Sequence, residues 1–217
     1  MNKDLKSVVQ LHESVPANWY YQSLKVDLLQ RFWHKRRFKE VSKVIEKVDG
    51  EVLDIGCADG VFTEVILDKS KAKKITGIDV LQKSINWAKK HWKNNKKMKF
   101  MAGNAQDLKF KSNFFDAVFA MEMLEHVVSP ESVLRQVKRV LKRGGYGVFL
   151  VPSDNFLFKI VWFLWLNFYP RGKTWKHTHI QTYKDNFLIR VSRKVGFNIE
   201  ENVKFNLGML QLVKVRK

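Results

Sequence analysis

Apolar positions along the chain change their period several times. Between residues 17 and 47, Leu24, Leu28, Phe32, Val41, Val44, Ile45 and Val48 recur at spacings of three, four or their sums, which predicts a helical lead-in. From residue 51 onward, apolar runs of strand length alternate with amphipathic stretches. "EVLDI" precedes a helix over 60–69, "KITGID" precedes one over 81–93, and "MKFMAG" is a third strand. "FDAVFAM" leads to a helix that Pro130 opens and "LKRGG" closes, and "YGVFLVP" follows. Such alternation requires crossover connections, and therefore a mostly parallel sheet with helices on both faces. The rhythm breaks after Pro152. An aromatic segment at 156–169 is followed by a loop, "PRGKTWKHTH", then by a helix from about Thr182 to Val195 that Gly196 ends. "FNIEENVKF" and "MLQLVKV" close the chain as strands, so the expected class is α/β with a doubly wound, seven-stranded sheet.

With 217 residues, 45% of them hydrophobic, the chain suits one large core rather than two. The expected division is a single domain over 1–217, with a helical extension at 1–48, a core at 49–153, an aromatic helical insertion at 154–181 and a closing helix and strands at 182–217. Lys and Arg number 40 against 21 acidic residues, a formal charge of +19. This favours phosphate-bearing partners, nucleic acid or an anionic membrane face, although a lysine-rich solvated surface gives the same balance. The densest basic stretch is "KKHWKNNKKMK" at 89–99. A lone cysteine, Cys57, rules out an internal disulfide and suits a reducing compartment. "MNKDLKSVVQLHESVP" has charges where a secretion signal needs an apolar centre. The expectation is a cytoplasmic protein, at the inner face of the membrane if the aromatic segment meets lipid. That segment is interrupted by Lys159 and Asn167 and falls short of the roughly 20 residues a spanning helix needs.

"VLDIGCADG" is an apolar strand that runs through Asp54 into a turn of Gly56, Cys57, Ala58, Asp59 and Gly60, with a helix opening at Gly60 or Val61. In a doubly wound sheet the carboxyl ends of the strands form the ligand crevice, and a turn with little side chain admits a ligand to the backbone. The third glycine of a dinucleotide fingerprint is absent, and Asp54 adds negative charge where a pyrophosphate would sit. A cationic ligand suits the loop better. "ITGIDV" then ends a second strand on Asp79, placed to take both hydroxyls of a ribose.

In order and spacing these two loops, with "GNAQDLKF", "FDAVFAMEMLEHV" and "VLKRGGYGVFLVPS", resemble the class I S-adenosylmethionine-dependent methyltransferases. The likeness is close over about 50–153 and implies their Rossmann-like sheet and S-adenosyl-L-methionine as cofactor. It further implies that Asp54, Gly56, Cys57 and Gly60 line the methionine part, Asp79 holds the ribose, and Val80 lies on the adenine. Asn104 and Ala105 would border the adenine edge, and Met121 and Glu122 would cover the methyl side. Asn104 departs from an aspartate common in the family. Asp107 and Leu108 read as a turn residue and a core residue.

If a helix follows strand four, Glu122, Glu125 and His126 fall at i, i+3 and i+4 on one face. Two carboxylates and an imidazole can hold Mg²⁺, Mn²⁺ or Zn²⁺, which would acidify a bound hydroxyl. The same E-x-x-E-H pattern is similar to that of ubiquinone-biosynthesis O-methyltransferases, where it holds a divalent cation, and to that of small-RNA 2′-O-methyltransferases. Alternatively "LEHV" lines the pocket without metal, or His126 is the general base and Glu125 orients it.

The second half shapes the acceptor site. Trp162, Trp165 and the phenylalanines of 156–169, followed by Arg171, Lys173, Trp175 and Lys176, fit either a helix lying on an anionic membrane or a buried lid; a dimer interface is a third use. His177 and His179 could share one side of an extended segment and act as bases or metal ligands. By analogy, Tyr20 or Tyr21 covers the cofactor and Arg36 or Arg37 reaches its methionine carboxylate, while Trp19 and Trp33 staple the lead-in to the core. The leading expectation is O-methylation of a hydrophobic, lipid-like small molecule. RNA methylation, C-methylation of a small metabolite and non-catalytic cofactor binding are the alternatives.

Overall fold

The computed structural model describes residues 9–10, 12–169, 171–175, 178, 180–184 and 186–217. The helical lead-in is two helices, α1 (Trp19–Val26) and α2 (Leu28–Val44). Asp27 separates them because its extended backbone lets its carboxylate accept the Gln30 N–H at 2.9 Å, the N-cap geometry that starts a new helix. The other carboxylate oxygen accepts from the Tyr169 hydroxyl at 2.6 Å, which ties this break to the end of the aromatic segment.

Strand and helix then alternate as the pattern predicts: β1 (Glu51–Ile55), α3 (Val61–Ser70), β2 (Lys74–Asp79), α4 (Gln82–His91), β3 (Met98–Ala102), β4 (Phe115–Met121), α5 (Pro130–Val140) and β5 (Leu141–Pro152). The chain continues as α6 (Phe156–Phe168), α7 (Phe187–Val195), β6 (Asn198–Phe205) and β7 (Leu210–Arg216). The sheet order is β3-β2-β1-β4-β5-β7-β6. The first five strands in this order form four parallel pairs, whereas β7 runs antiparallel to both β5 and β6. The order reverses direction between β1 and β4, so the loops after these strands diverge and open a crevice.

Alternate residues serve opposite faces. Val118 and Ala120 of β4 join α5 and α7 in one core, whereas Ala117 and Phe119 join α2, α3 and α4 in the other. α7 starts five residues later than its apolar pattern suggests. Asn186 is left-handed, and the stretch before it is used otherwise: the Tyr183 N–H donates to Asp154 at 2.6 Å and its hydroxyl to the Leu124 carbonyl at 3.0 Å. Among the described residues no helix is long and apolar enough to cross a membrane.

Tyr146 of β5 joins the lead-in to the sheet. Its hydroxyl donates to the Glu46 carbonyl at 3.0 Å and accepts the Glu46 N–H at 3.1 Å. Tyr146→Phe leaves both backbone groups without that partner and is expected to cost about 1–3 kcal/mol. Urea unfolding should show this as a lower midpoint at unchanged slope.

Candidate active site

The turn after β1 is built from backbone. Gly56, Ala58 and Gly60 all have positive φ. A Cβ on Gly56 would lie 2.6 Å from Met123 Cβ, and one on Gly60 would lie 2.6 Å from the Phe100 ring. The Gly56 and Cys57 N–H groups both donate to the Ile78 carbonyl, at 2.8 and 3.0 Å. The Ala58 and Leu81 N–H groups donate to the two oxygens of Asp79, at 3.0 and 2.8 Å. Asp79 thus joins the turns after β1 and β2. Burial raises its pKa, and these two bonds oppose the rise.

A first cavity opens over the ends of β1, β2 and β3. Of the residues expected at a cofactor, Gly56, Asp79, Val80, Asn104 and Ala105 line it. Asp54, Cys57, Gly60 and Met121 do not. Asp54 is buried and accepts the Thr63 hydroxyl at 2.6 Å, and burial lifts its carboxyl to about 7. Burial also pushes the Cys57 thiol up. Gly60 caps α3, and Met121 is buried. The Asn104 side chain makes a turn instead of facing outward, accepting the Gln106 N–H at 2.9 Å. Asp107 and Leu108 sit as a turn residue and a core residue. One residue went unread in the sequence: Asp59, buried and raised to about 6 by burial, accepts the Tyr21 N–H at 2.9 Å and so draws α1 over the loop. Its position in the turn "CADG" was its only signal.

The segment after β4 departs from the expected helix. Glu122 has a φ of 51°, donates its N–H to the Leu150 carbonyl at 2.8 Å, and is followed by one tight turn, Leu124–His126. Glu122, Glu125 and His126 therefore do not share a helical face. The Glu122 carboxylate forms an ion pair with Arg37 of α2. Glu125 turns inward, 2% exposed, and burial raises it to about 8. His126 donates Nδ1–H to the Thr178 carbonyl at 2.8 Å, and its Nε2 stands 4.0 Å from Glu125. Among the described residues no three His, Cys, Asp or Glu side chains converge on a point. The arrangement does not fit a divalent cation: a guanidinium already occupies Glu122, and Glu125 is held as a buried acid. His177 and His179 lie outside the described residues.

A second cavity lies beneath α6, walled by Leu29, Phe32, Trp33, Phe158, Trp162 and Trp165. It meets the first along a wall that both share: Tyr20, Glu122, His126 and Trp175. Trp19 sets this wall, with its ring edge-on to Trp175 at 5.5 Å and Trp165 at 6.5 Å. Arg37 is buried and lines the second cavity but not the first, and the Tyr20 and Phe62 rings lie 5.6 and 5.9 Å from its guanidinium carbon. Arg36 is half-exposed beside Glu40. Burial raises Tyr20 to about 12 and lowers Arg37 to about 10. His34 meets Arg37 through Nδ1, and burial with that cation lowers it to about 2, so its ring is neutral.

Residues 53–149 match the family described as a methyltransferase domain. The chain is 31% identical over 157 residues to a ubiquinone biosynthesis O-methyltransferase of Nitrosospira multiformis, and 33% identical over 156 residues to that of Chromobacterium violaceum. The alignments cover 70% and 69% of this chain but 64% and 65% of those relatives, slightly less than two thirds of their length. An S-adenosylmethionine-dependent methyltransferase from Thermotoga maritima superposes with a TM-score of 0.73 at 18% identity, over 97% of this chain and 99% of that one. The chain thus carries a methyltransferase domain over residues 53–149, and its sheet has the fold of that solved structure. Its family core ends at β5, so α1, α2 and α6, which wall the second cavity, lie outside the matched residues.

Because folding lifts the Asp54 carboxyl from near 4 to about 7, Asp54 contributes stability at low pH that is lost as pH rises through that window. Asp54→Asn cannot titrate there. Wild type should therefore lose stability relative to Asp54→Asn between pH 5 and pH 8, read by urea unfolding at both.

Proposed function

We propose that the chain binds S-adenosylmethionine in the first cavity and methylates the hydroxyl of a hydrophobic, lipid-like acceptor in the second. The shared wall of Tyr20, Glu122, His126 and Trp175 carries this reading, because an in-line transfer needs donor and acceptor on opposite sides of one opening. The names of the relatives at 31% and 33% identity support a quinone-like acceptor.

The cofactor supplies an already activated sulfonium methyl. What remains for the protein is to bind, align, exclude water and take up one proton. In this reading Asp79 takes the ribose hydroxyls, Val80 the adenine face, Asn104 and Ala105 its edge, and Gly56 the methionine part. Asp54, Cys57, Gly60 and Met121 hold that surface from behind. The rings of Trp19, Tyr20 and Trp175 keep water from the wall. Glu122 and His126 stand where the acceptor proton must leave.

The second cavity also favours loading from a membrane. α2 and α6, which line it, carry large exposed apolar side chains, among them Leu28, Leu29, Phe32, Phe156, Phe163 and Phe168. Lys25, Lys35 and Lys159 are exposed on the same elements or beside them. Apolar surface edged by cations suits an anionic bilayer and supports a position at its cytoplasmic face. The +19 charge also suits nucleic acid, but an aromatic-walled cavity suits a polyprenyl phenol better than a ribose-phosphate chain.

Purified protein with methyl-labelled cofactor should place label on a polyprenyl catechol in anionic vesicles at least tenfold faster than in neutral ones. Phe163→Asp with Phe168→Asp should remove that advantage while leaving cofactor affinity unchanged by calorimetry. Label recovered in RNA instead of lipid would overturn the reading.

A further inference from the structure

Buried polar atoms without partners gather in the second cavity. His34 Nε2, Arg37 Nε, Glu125 Oε2, Trp165 Nε1 and Trp175 Nε1 all belong to residues that line it, and none has a hydrogen-bond partner among the described residues. A buried polar group left unsatisfied is costly, so a purely apolar occupant is disfavoured there. Four of the five are N–H donors. Arginine and tryptophan only donate, and His34 must carry its proton on Nε2 because its Nδ1 faces an Arg37 nitrogen. The cavity therefore asks for acceptor oxygen.

Arg37 stands out among these donors. It is the one described cation lining this cavity, 3% exposed, and it comes from α2, outside the matched family core. One terminal nitrogen meets His34 and the other meets Glu122, which itself belongs to the wall between the cavities. The Nε–H remains for a third oxygen. Rings of Tyr20 and Phe62, at 5.6 and 5.9 Å from the guanidinium carbon, flank the group and keep its surroundings dry. In such surroundings a fixed cation acts on a developing anion far more strongly than in water.

We propose that Arg37 is the catalytic cation of the acceptor cavity, holding the acceptor oxygen as it becomes an aryloxide while Glu122 takes its proton. This rests on the methyl-transfer reading given above. The acceptor hydroxyl enters beside the ion pair, donating to the Glu122 carboxylate and accepting from the Arg37 Nε–H. Its proton moves to the Glu122 carboxylate, leaving a neutral acid and an aryloxide paired with the guanidinium. The aryloxide lone pair then forms the new O–CH₃ bond as the S–CH₃ bond breaks, and those electrons stay on sulfur. Sulfonium and aryloxide become a neutral sulfide and a neutral ether, and Glu122 returns its proton to solvent. Arg37 thus stands in the role that a divalent cation would otherwise fill beside Glu122.

The test uses the full chain and para-nitrophenol, whose phenolate absorbs visibly, at a pH where the free probe is mostly protonated. Binding to wild type should raise phenolate absorbance, and EDTA should leave that rise intact. Arg37→Met should abolish it and lower kcat at least a hundredfold with cofactor affinity unchanged, whereas Arg37→Lys should keep part of both. The proposal is overturned if wild type gives no rise, if EDTA removes it, or if Arg37→Met retains it. Should Arg37→Met fail to fold, wild type with and without EDTA still decides. Label transfer to the polyprenyl catechol is followed separately, so probe ionisation without any methylation would sink the transfer reading and the catalytic role with it, while leaving the hold of Arg37 on an aryl oxygen anion standing.

Discussion

A buried ion pair between the lead-in and the end of β4 organises this molecule. Arg37 reaches from α2 to Glu122, which belongs to the wall between the two cavities. A guanidinium that is 3% exposed would be untenable alone, because removing one partner of a buried pair leaves an uncompensated charge, at a loss of about 3–5 kcal/mol. The pair therefore fixes α2 against the crevice. α1 follows through the Tyr21 bond to Asp59, and α6 follows through Tyr169 and Asp27. The lead-in and the aromatic helix are in this sense one cover over the sheet.

The sheet and its loops were legible in the sequence because they depend on local rules. Periodicity placed the seven strands, and the small residues of "IGCADG" marked a turn that packs only through backbone. Pro130 opened α5 where a proline is tolerated, with Ser129 capping it. What escaped was decided by distant partners. The E-x-x-E-H spacing implies one face only if a helix forms, and Glu122 is held left-handed by a bond to Leu150 on the neighbouring strand. No local feature of "RRFKE" says which arginine turns inward, because burial of Arg37 requires Glu122, 85 residues further on. The late start of α7 likewise follows from Tyr183 bonding Asp154 and Leu124.

The division of labour follows from where each surface comes from. The first cavity is made by loops of the family core, and its shape is set by backbone and by Asp79. The second draws on α2 and α6, whose sequences lie outside that core, so its walls can change without disturbing the first. Its aromatic walls and interior donors suit a ligand that is apolar along most of its length and oxygenated at one end.

The most direct test is a crystal structure of the protein with S-adenosylhomocysteine. The expected result is ribose hydroxyls on Asp79, adenine against Val80, and the sulfur directed at the wall of Tyr20 and Glu122, with the Arg37–Glu122 pair intact behind it. A ligand bound elsewhere, or a sulfur turned away from that wall, would contradict the two-cavity account.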